Sequence, residues 1–341
     1  MNPKEAILHY LGRRSSAPGR AIREHLGISR QALNVHIREL VRAGKALKAG
    51  STRGARYALA ERRLPGVSEA RELKLPGLDE SAVYERVAVS LNLRSELKPN
   101  VEAIVHYAFT EMLNNAIEHS QSERGAVRLR LEPATVAFEV GDRGIGVFHS
   151  IASRLELEDE QAALVELLKG RTTTMRERHT GEGIFFTSRA ADRFVLRSHR
   201  MRLEWNRLKG DVFVSQQRML AGTRVEFLVE RGTRRRLESV FAEYAPAEFD
   251  YRFERTRVLV KLLQSEYVSR SEAKRLVANL ERFREVVLDF RDVKAVGQGF
   301  ADEVFRVFAA RHPGTRLLAE NAGSAVGAML RHAGLAIPPG P

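Results

Sequence analysis

The chain has 341 residues, 43% of them hydrophobic, no cysteine and a net charge of +13. That length and apolar fraction support two or three packed domains. Absent cysteines exclude disulfides and thiolate metal sites, and no apolar run is long enough to span a bilayer, so a reducing, cytoplasmic setting with no membrane association is expected. Lys4 and Glu5 precede no apolar segment of signal-peptide type. The charge is concentrated: residues 1–65 hold fourteen bases against four acids, +10, which suggests a nucleic-acid partner for this segment.

Pro3 to Leu11 carries Ala6, Ile7 and Leu11 at helical spacing, with a proline in the first turn. A Gly/Ser/Pro loop runs from Gly12 to Gly19, and Arg20 to Leu26 predicts a short helix. Gly27-Ile28 makes a tight turn, and Ser29 is placed to cap a helix burying Leu33, Ile37, Leu40 and Val41. Residues 45–49 and 56–59 then read as two strands around Gly50 to Gly54. Residues 1–62 resemble the winged-helix domains of bacterial regulators. That resemblance implies double-stranded DNA as partner, with Arg30, Gln31, Asn34 and His36 near bases in the major groove and Arg53 and Arg56 at phosphates.

Leu64-Pro65-Gly66 and Leu75-Pro76-Gly77 mark a connector over 63–78. Helical sequence follows from Glu80 to Leu97, and after Pro99 a long helix runs from Val101 through His119. Glu111, Asn115 and His119 recur every four residues and so share one face. A carboxylate one turn from an amide suits metal-assisted phosphate chemistry: the amide oxygen can ligate Mg²⁺, and the carboxylate is left to orient or deprotonate water.

Residues 126–131 and 135–142 predict a hairpin about Glu132-Pro133-Ala134, and its second strand runs into Asp142-Arg143-Gly144-Ile145-Gly146. Asp159 to Lys169 predicts an amphipathic helix. Thr172 to Thr174 with Arg171, Arg176 and Arg178 supply hydroxyls and cations suited to phosphate, and Thr173 is a candidate contact. Gly181-Glu182-Gly183 reads as a glycine turn entering a helix. Phe194 to Trp205 and Asp211 to Ser215 read as hairpin-like segments, and Gly222-Thr223 opens a strand over Arg224 to Val229.

The order E-x-x-x-N, D-x-G-x-G, G-x-G over roughly Asp79 to Glu230 resembles the GHKL ATPases: gyrase, MutL proteins, heat-shock chaperones, histidine kinases and anti-sigma kinases. The resemblance implies an α/β sandwich binding ATP and Mg²⁺ over 79–232. Asn115 matches the Mg²⁺ ligand, Glu111 the general base, and Asp142 the carboxylate that accepts the adenine amino group. Gly144, Gly146, Gly181 and Gly183 match the glycines of the base pocket and phosphate loop, and Thr223 matches a threonine beside the aspartate. The chemistry is independently sensible. An ionised carboxylate only accepts hydrogen bonds, so it favours the adenine amine over the guanine O6, and glycine turns entering helices offer N–H groups to phosphate.

Beyond a basic junction at Thr233 to Arg236, the pattern is βαβαβα. It comprises strands at 258–263, 286–290 and 316–319, and helices at Ser271–Phe283, Gly299–Ala310 and Ser324–His332. Residues 246–337, and above all Leu288-Asp289-Phe290 and Val296 to Glu303, resemble a STAS-like domain of unknown function. That implies a role in sensing a signal or docking a protein partner. The loop Gly297-Gln298-Gly299 lacks the hydroxyl that partner-switch STAS proteins phosphorylate, and no histidine lies in a histidine-kinase phosphoacceptor setting. The fold class expected is α+β / α/β multidomain, with winged helix, GHKL sandwich and STAS-like domain in that order. The function expected is ATP-controlled DNA regulation by a homodimer, with a kinase acting in trans or a non-hydrolysing nucleotide sensor as alternatives.

Overall fold

The structure, a computed structural model, describes residues 2–12, 14, 16–43, 45–49, 55–59, 67–170, 182–262 and 266–335. In its N-terminal module, α1 (Pro3–Gly12), α2 (Gly19–Leu26) and α3 (Arg30–Arg42) close around Ile7, Leu11, Ile22, Leu33, Ile37 and Leu40. Gly27 leaves α2 at φ 63°, a backbone only glycine reaches without strain. Ser29 starts α3 by accepting the Ala32 N–H at 3.1 Å, as its position predicts. Val41, expected in the core, is 37% exposed because it lies off the stripe of Leu33, Ile37 and Leu40. Strands β2 (Ala46–Ala49) and β3 (Arg56–Leu59) pair antiparallel, and β1 (Ala17–Pro18), read as loop from sequence, adds a third to the sheet.

The central unit is a five-stranded antiparallel sheet of order β4-β5-β6-β8-β7. Its strands are β4 (Val67–Lys74), β5 (Arg124–Leu131), β6 (Thr135–Asp142), β7 (Arg193–Asn206) and β8 (Asp211–Glu230). Half of the connector expected over 63–78 is instead strand: Val67–Lys74 is β4, paired with β5 from Val67↔Leu131 to Lys74↔Arg124. The sheet packs on α4 (Glu80–Leu91), the short α5 (Leu93–Glu96) and the long α6 (Pro99–His119), whose Phe109 meets Phe138 edge-on at 5.5 Å. Helices α7 (Val147–Arg154), α8 (Glu160–Lys169) and α9 (Gly183–Ala190) complete the layer. Helix α7 has no counterpart among the elements expected from sequence.

The two hairpin-like segments expected after Phe194 are one long hairpin. Strand β8 is continuous from Asp211 to Glu230, so Gly222-Thr223 lies inside it rather than opening it. Gly222 at φ 76° and His199 at φ 49° mark an irregularity where the register shifts. Inward of it β8 pairs with both β6 and β7; outward, residues 211–220 pair only with β7 among the described residues.

The C-terminal unit follows α10 (Leu237–Tyr244). Strands β9 (Arg255–Leu259), β11 (Glu285–Asp289) and β13 (Arg316–Glu320) form a parallel sheet with the wholly buried β11 at its centre. The strand expected at 258–263 is thus Arg255–Leu259, followed by a 3-10 turn at Val260–Leu262. The helix expected at Ser271–Phe283 is α11 (Arg270–Val277), opened by a Ser269–Glu272 capping box, with a separate 3-10 turn at Leu280–Arg282. A short parallel pair, β10 (Glu266–Tyr267) and β12 (Ala295–Val296), lies beside it. The next helix is α12 (Gln298–Asp302), a π-helical stretch over Glu303–Phe308, then α13 (Ala309–Arg311). Helix α14 (Ser324–His332) ends the described fold. Central and C-terminal units share one hydrophobic core: Phe253 lies 4.7 Å from Phe185 on one side and 5.4 Å from Phe283 on the other, ring centre to ring centre.

Candidate functional site

Helix α6 starts on Pro99 and buries Val101, Ile104, Val105, Ala108, Phe109, Met112, Leu113 and Ala116. That stripe fixes its rotation, and Glu111, Asn115 and His119 fall along the wall of a cleft. Asp142, Gly146, Ile184 and Thr223 line the same cleft, so three motifs separate in sequence meet at one site.

Asp142 ends β6. Its Oδ1 accepts the Gly144 N–H at 2.8 Å and the Thr223 N–H at 3.2 Å, and its Oδ2 accepts from none of the described residues. Burial pushes its carboxyl above the usual carboxylate range, and those two N–H groups pull the other way without cancelling the rise. The Thr223 hydroxyl accepts the Val147 N–H at 2.9 Å, so one residue of β8 holds both the aspartate and the start of α7. The turn between them is fixed from the other side. Ile145 N–H donates to the Ser120 carbonyl at 2.8 Å, and a Cβ on Gly144 would fall 1.8 Å from that oxygen. Gly146, at φ 81°, passes so close to Ser198 and His199 that a Cβ would lie 2.6 Å from the Ser198 Oγ.

At the other end, Gly183 begins α9 directly against Glu111. A Cβ there would fall 2.1 Å from Glu111 Oε2. Tyr107, one turn before Glu111, has its phenol pushed upward by burial and then by the Glu111 and Glu182 carboxylates, so it stays protonated. Two buried polar atoms in the cleft wall lack partners among the described residues: Asn115 Nδ2 and Ser150 Oγ. A half-turn of the amide exchanges the two Asn115 atoms. The buried atom is therefore a donor suited to a phosphate oxygen or a carbonyl suited to a cation. Ser150, Leu167 and Phe185 line the cleft and were not singled out from sequence. Ser150 lies on the unpredicted α7, and the other two are ordinary apolar helix positions.

Gly181 and Thr173 fall outside the described residues, as does Arg53. In the N-terminal module, Arg30 and Gln31 are exposed at the start of α3, Asn34 is half-buried one turn on, and His36 is half-buried, its Nδ1 without a partner among the described residues. Arg56 is held internally: its Nε donates to Ser16 Oγ at 3.0 Å and its Nη2 to the Ser16 carbonyl at 3.4 Å. Among the described residues no group of three or more His, Cys, Asp or Glu side chains could hold a metal, and no helix is long and apolar enough to cross a membrane.

No curated protein matches the chain. Two stretches match family models: residues 78–205 match the histidine kinase-like ATPase domain, which fits ATP binding, and residues 272–326 match a STAS-like domain of unknown function. A histidine kinase-like ATPase domain and a STAS-like domain therefore stand together in this mixed α/β chain.

Proposed function

We propose that the chain is a Mg-ATP-dependent regulator in which the ATPase domain controls a DNA-binding N-terminal module. The observation that carries the nucleotide reading is Asp142. Gly144 and Thr223 hold one carboxylate oxygen, and the other is left for an amino group at the cleft wall. Bound Mg-ATP supplies an activated γ-phosphoryl group. Asn115 is the residue that would hold the ion, and its unsatisfied amide fits that role. Glu111, against the start of α9, orients and deprotonates the attacking water. Gly183 gives the phosphates close access to backbone N–H groups. The direct test is calorimetry of ATP against GTP on wild type and Asp142→Asn. Selective ATP binding that the substitution abolishes supports the reading; equal affinity for the two nucleotides overturns it.

The DNA part of the proposal treats residues 1–62 as a winged helix with α3 in the major groove. Support comes from the short α2–α3 turn at Gly27, the exposed Arg30 and Gln31, and the +10 charge of residues 1–65. Two copies of the chain would read paired half-sites, with the STAS-like domain docking a protein partner. Retention of the intact chain on duplex DNA, lost steeply as salt is raised, is the test; no retention at low salt moves the module to protein docking.

A further inference from the structure

Helix α8 ends inside the C-terminal unit. Its last residue, Lys169, is 2% exposed. The Lys169 ammonium donates to Glu166 Oε1 at 2.7 Å, to the Ala278 carbonyl at 2.8 Å and to the Arg275 carbonyl at 3.2 Å. Arg275 lies in the last turn of α11 and Ala278 caps it. A cation from the central unit thus covers the negative end of a helix in the C-terminal unit. Glu166, one turn earlier, accepts from Asn279 Nδ2 at 3.0 Å and Arg282 Nη2 at 3.1 Å. The Lys169 carbonyl accepts the buried Thr256 hydroxyl at 2.6 Å. Gly170 follows at φ 82°, with space for no Cβ: Phe253 Cζ would be 2.7 Å away.

The other side of this element is the cleft. Leu167, between Glu166 and Lys169, lines it, and so does Phe185, which packs on Phe253. One helical turn is therefore cleft wall on one face and domain interface on the other. Buried charges of this kind are tolerated only when fully partnered, so the network favours one seating of α8 over nearby ones.

We propose that Lys169 and Glu166 are positioning residues for the nucleotide cleft, through which the STAS-like domain sets the affinity for Mg-ATP. The proposal rests on the nucleotide reading above. Linkage makes it reciprocal: whatever seats α8 better raises nucleotide affinity, and nucleotide tightens the interface by the same factor.

The test uses the full-length chain, Mg²⁺ and a non-hydrolysable ATP analogue, with calorimetry on wild type, Lys169→Met and Arg282→Gln. Arg282 lies outside the cleft and its substitution leaves the Lys169–Glu166 pair intact, so that variant carries the test if Lys169→Met does not fold. The expected result is a Kd about tenfold higher in both variants. In wild type, the analogue should also slow hydrogen exchange over residues 275–282. A merely structural network would lower the melting temperature yet leave the Kd within about twofold of wild type and that exchange unchanged; this result overturns the proposal. If wild type itself binds no analogue, the nucleotide reading falls and takes this proposal with it. If wild type binds and both variants bind equally, only this proposal falls.

Discussion

The Glu111 carboxylate lies against the α-carbon of Gly183, so close that a methyl group on Gly183 would fall 2.1 Å from Oε2. Alanine at 183 needs no unusual backbone, so its effect is local. Gly183→Ala should push the carboxylate from its place and lower ATP turnover by at least about tenfold, a loss on the order of 1.4 kcal/mol in transition-state stabilisation. The melting temperature should change little by comparison. Steady-state hydrolysis beside a thermal melt measures both, and turnover equal to wild type would remove Glu111 from the chemistry.

Asp142 gives a pH signature with a definite sign. With Oδ1 held by Gly144 and Thr223, the ionised carboxylate keeps Oδ2 as an acceptor for the adenine amine, whereas a proton there turns it into a donor, and burial holds the pKa above the usual carboxylate range. Affinity for ATP should therefore decline on acidification at a pH above that of an ordinary carboxylate. The apo protein behaves in the opposite sense. A carboxyl whose pKa is raised by folding contributes stability below its unfolded pKa and loses that contribution as pH rises through the folded one. Asp142→Asn should remove this loss, so at neutral pH the ligand-free variant should be at least as stable as wild type while binding ATP far more weakly. A variant that melts lower without nucleotide contradicts this balance.

The Lys169 ammonium, lowered in pKa chiefly by burial, contributes a second pH dependence. The folded state releases this proton before the unfolded state does, so stability gains with rising pH between the lowered value and the ordinary lysine value of 10.5. Wild type should gain stability relative to Lys169→Met through the alkaline range. Parallel melting curves against pH for the two proteins would refute that assignment.

On the N-terminal module, two kinds of contact should separate. Arg30→Ala, Gln31→Ala and Asn34→Ala should alter preference among sequences, whereas Arg53→Ala should weaken binding to all duplexes and lower the salt slope by about one. Arg56 is different because it donates to Ser16 across 40 residues. Arg56→Ala should lower the stability of the module as well as any DNA affinity, with a cost of about 0.5–1.5 kcal/mol for a hydrogen bond of this kind. Fluorescence anisotropy at several salt concentrations and a thermal melt distinguish these outcomes.

Communication between ATP and DNA predicts a pattern over two substitutions. Glu111→Ala should keep Mg-ATP binding through Asn115 but lose hydrolysis, and so hold the ATP-bound arrangement. Asn115→Ala should behave like the apo protein. DNA affinities for wild type and both variants, with and without a non-hydrolysable analogue, should then differ. If all agree within error, the domains are uncoupled.

Much of the site could be read from sequence because it depends on short-range chemistry. The four-residue spacing of Glu111, Asn115 and His119 is a helix face, and Gly144 and Gly183 mark places where only a hydrogen fits. What could not be read depends on distant partners. Val67–Lys74 has the sequence VSEARELK, poor in β-branched residues, and is a strand because β5 offers it an edge. The sequence puts the start of α11 at Ser271 because Ser269 and Ser271 are chemically alike; only Ser269 stands where Glu272 can complete the box. Ser150 was overlooked because nothing local distinguishes it, and Lys169 because a lysine ending an amphipathic helix ordinarily points to water.

The continuous core has a consequence for how the chain comes apart. Residues from Leu75 to Leu330 belong to one apolar cluster, while the N-terminal module keeps its own. Three sequence domains thus make two cooperative folding units. A calorimetric scan should resolve two transitions, the larger belonging to ATPase and STAS-like domains melting together. Truncation after Glu230 would uncover Phe185 and strand the Lys169–Glu166 pair at a raw surface. The boundary between these two domains, plain to a reader of the sequence, is not one at which the molecule can be divided.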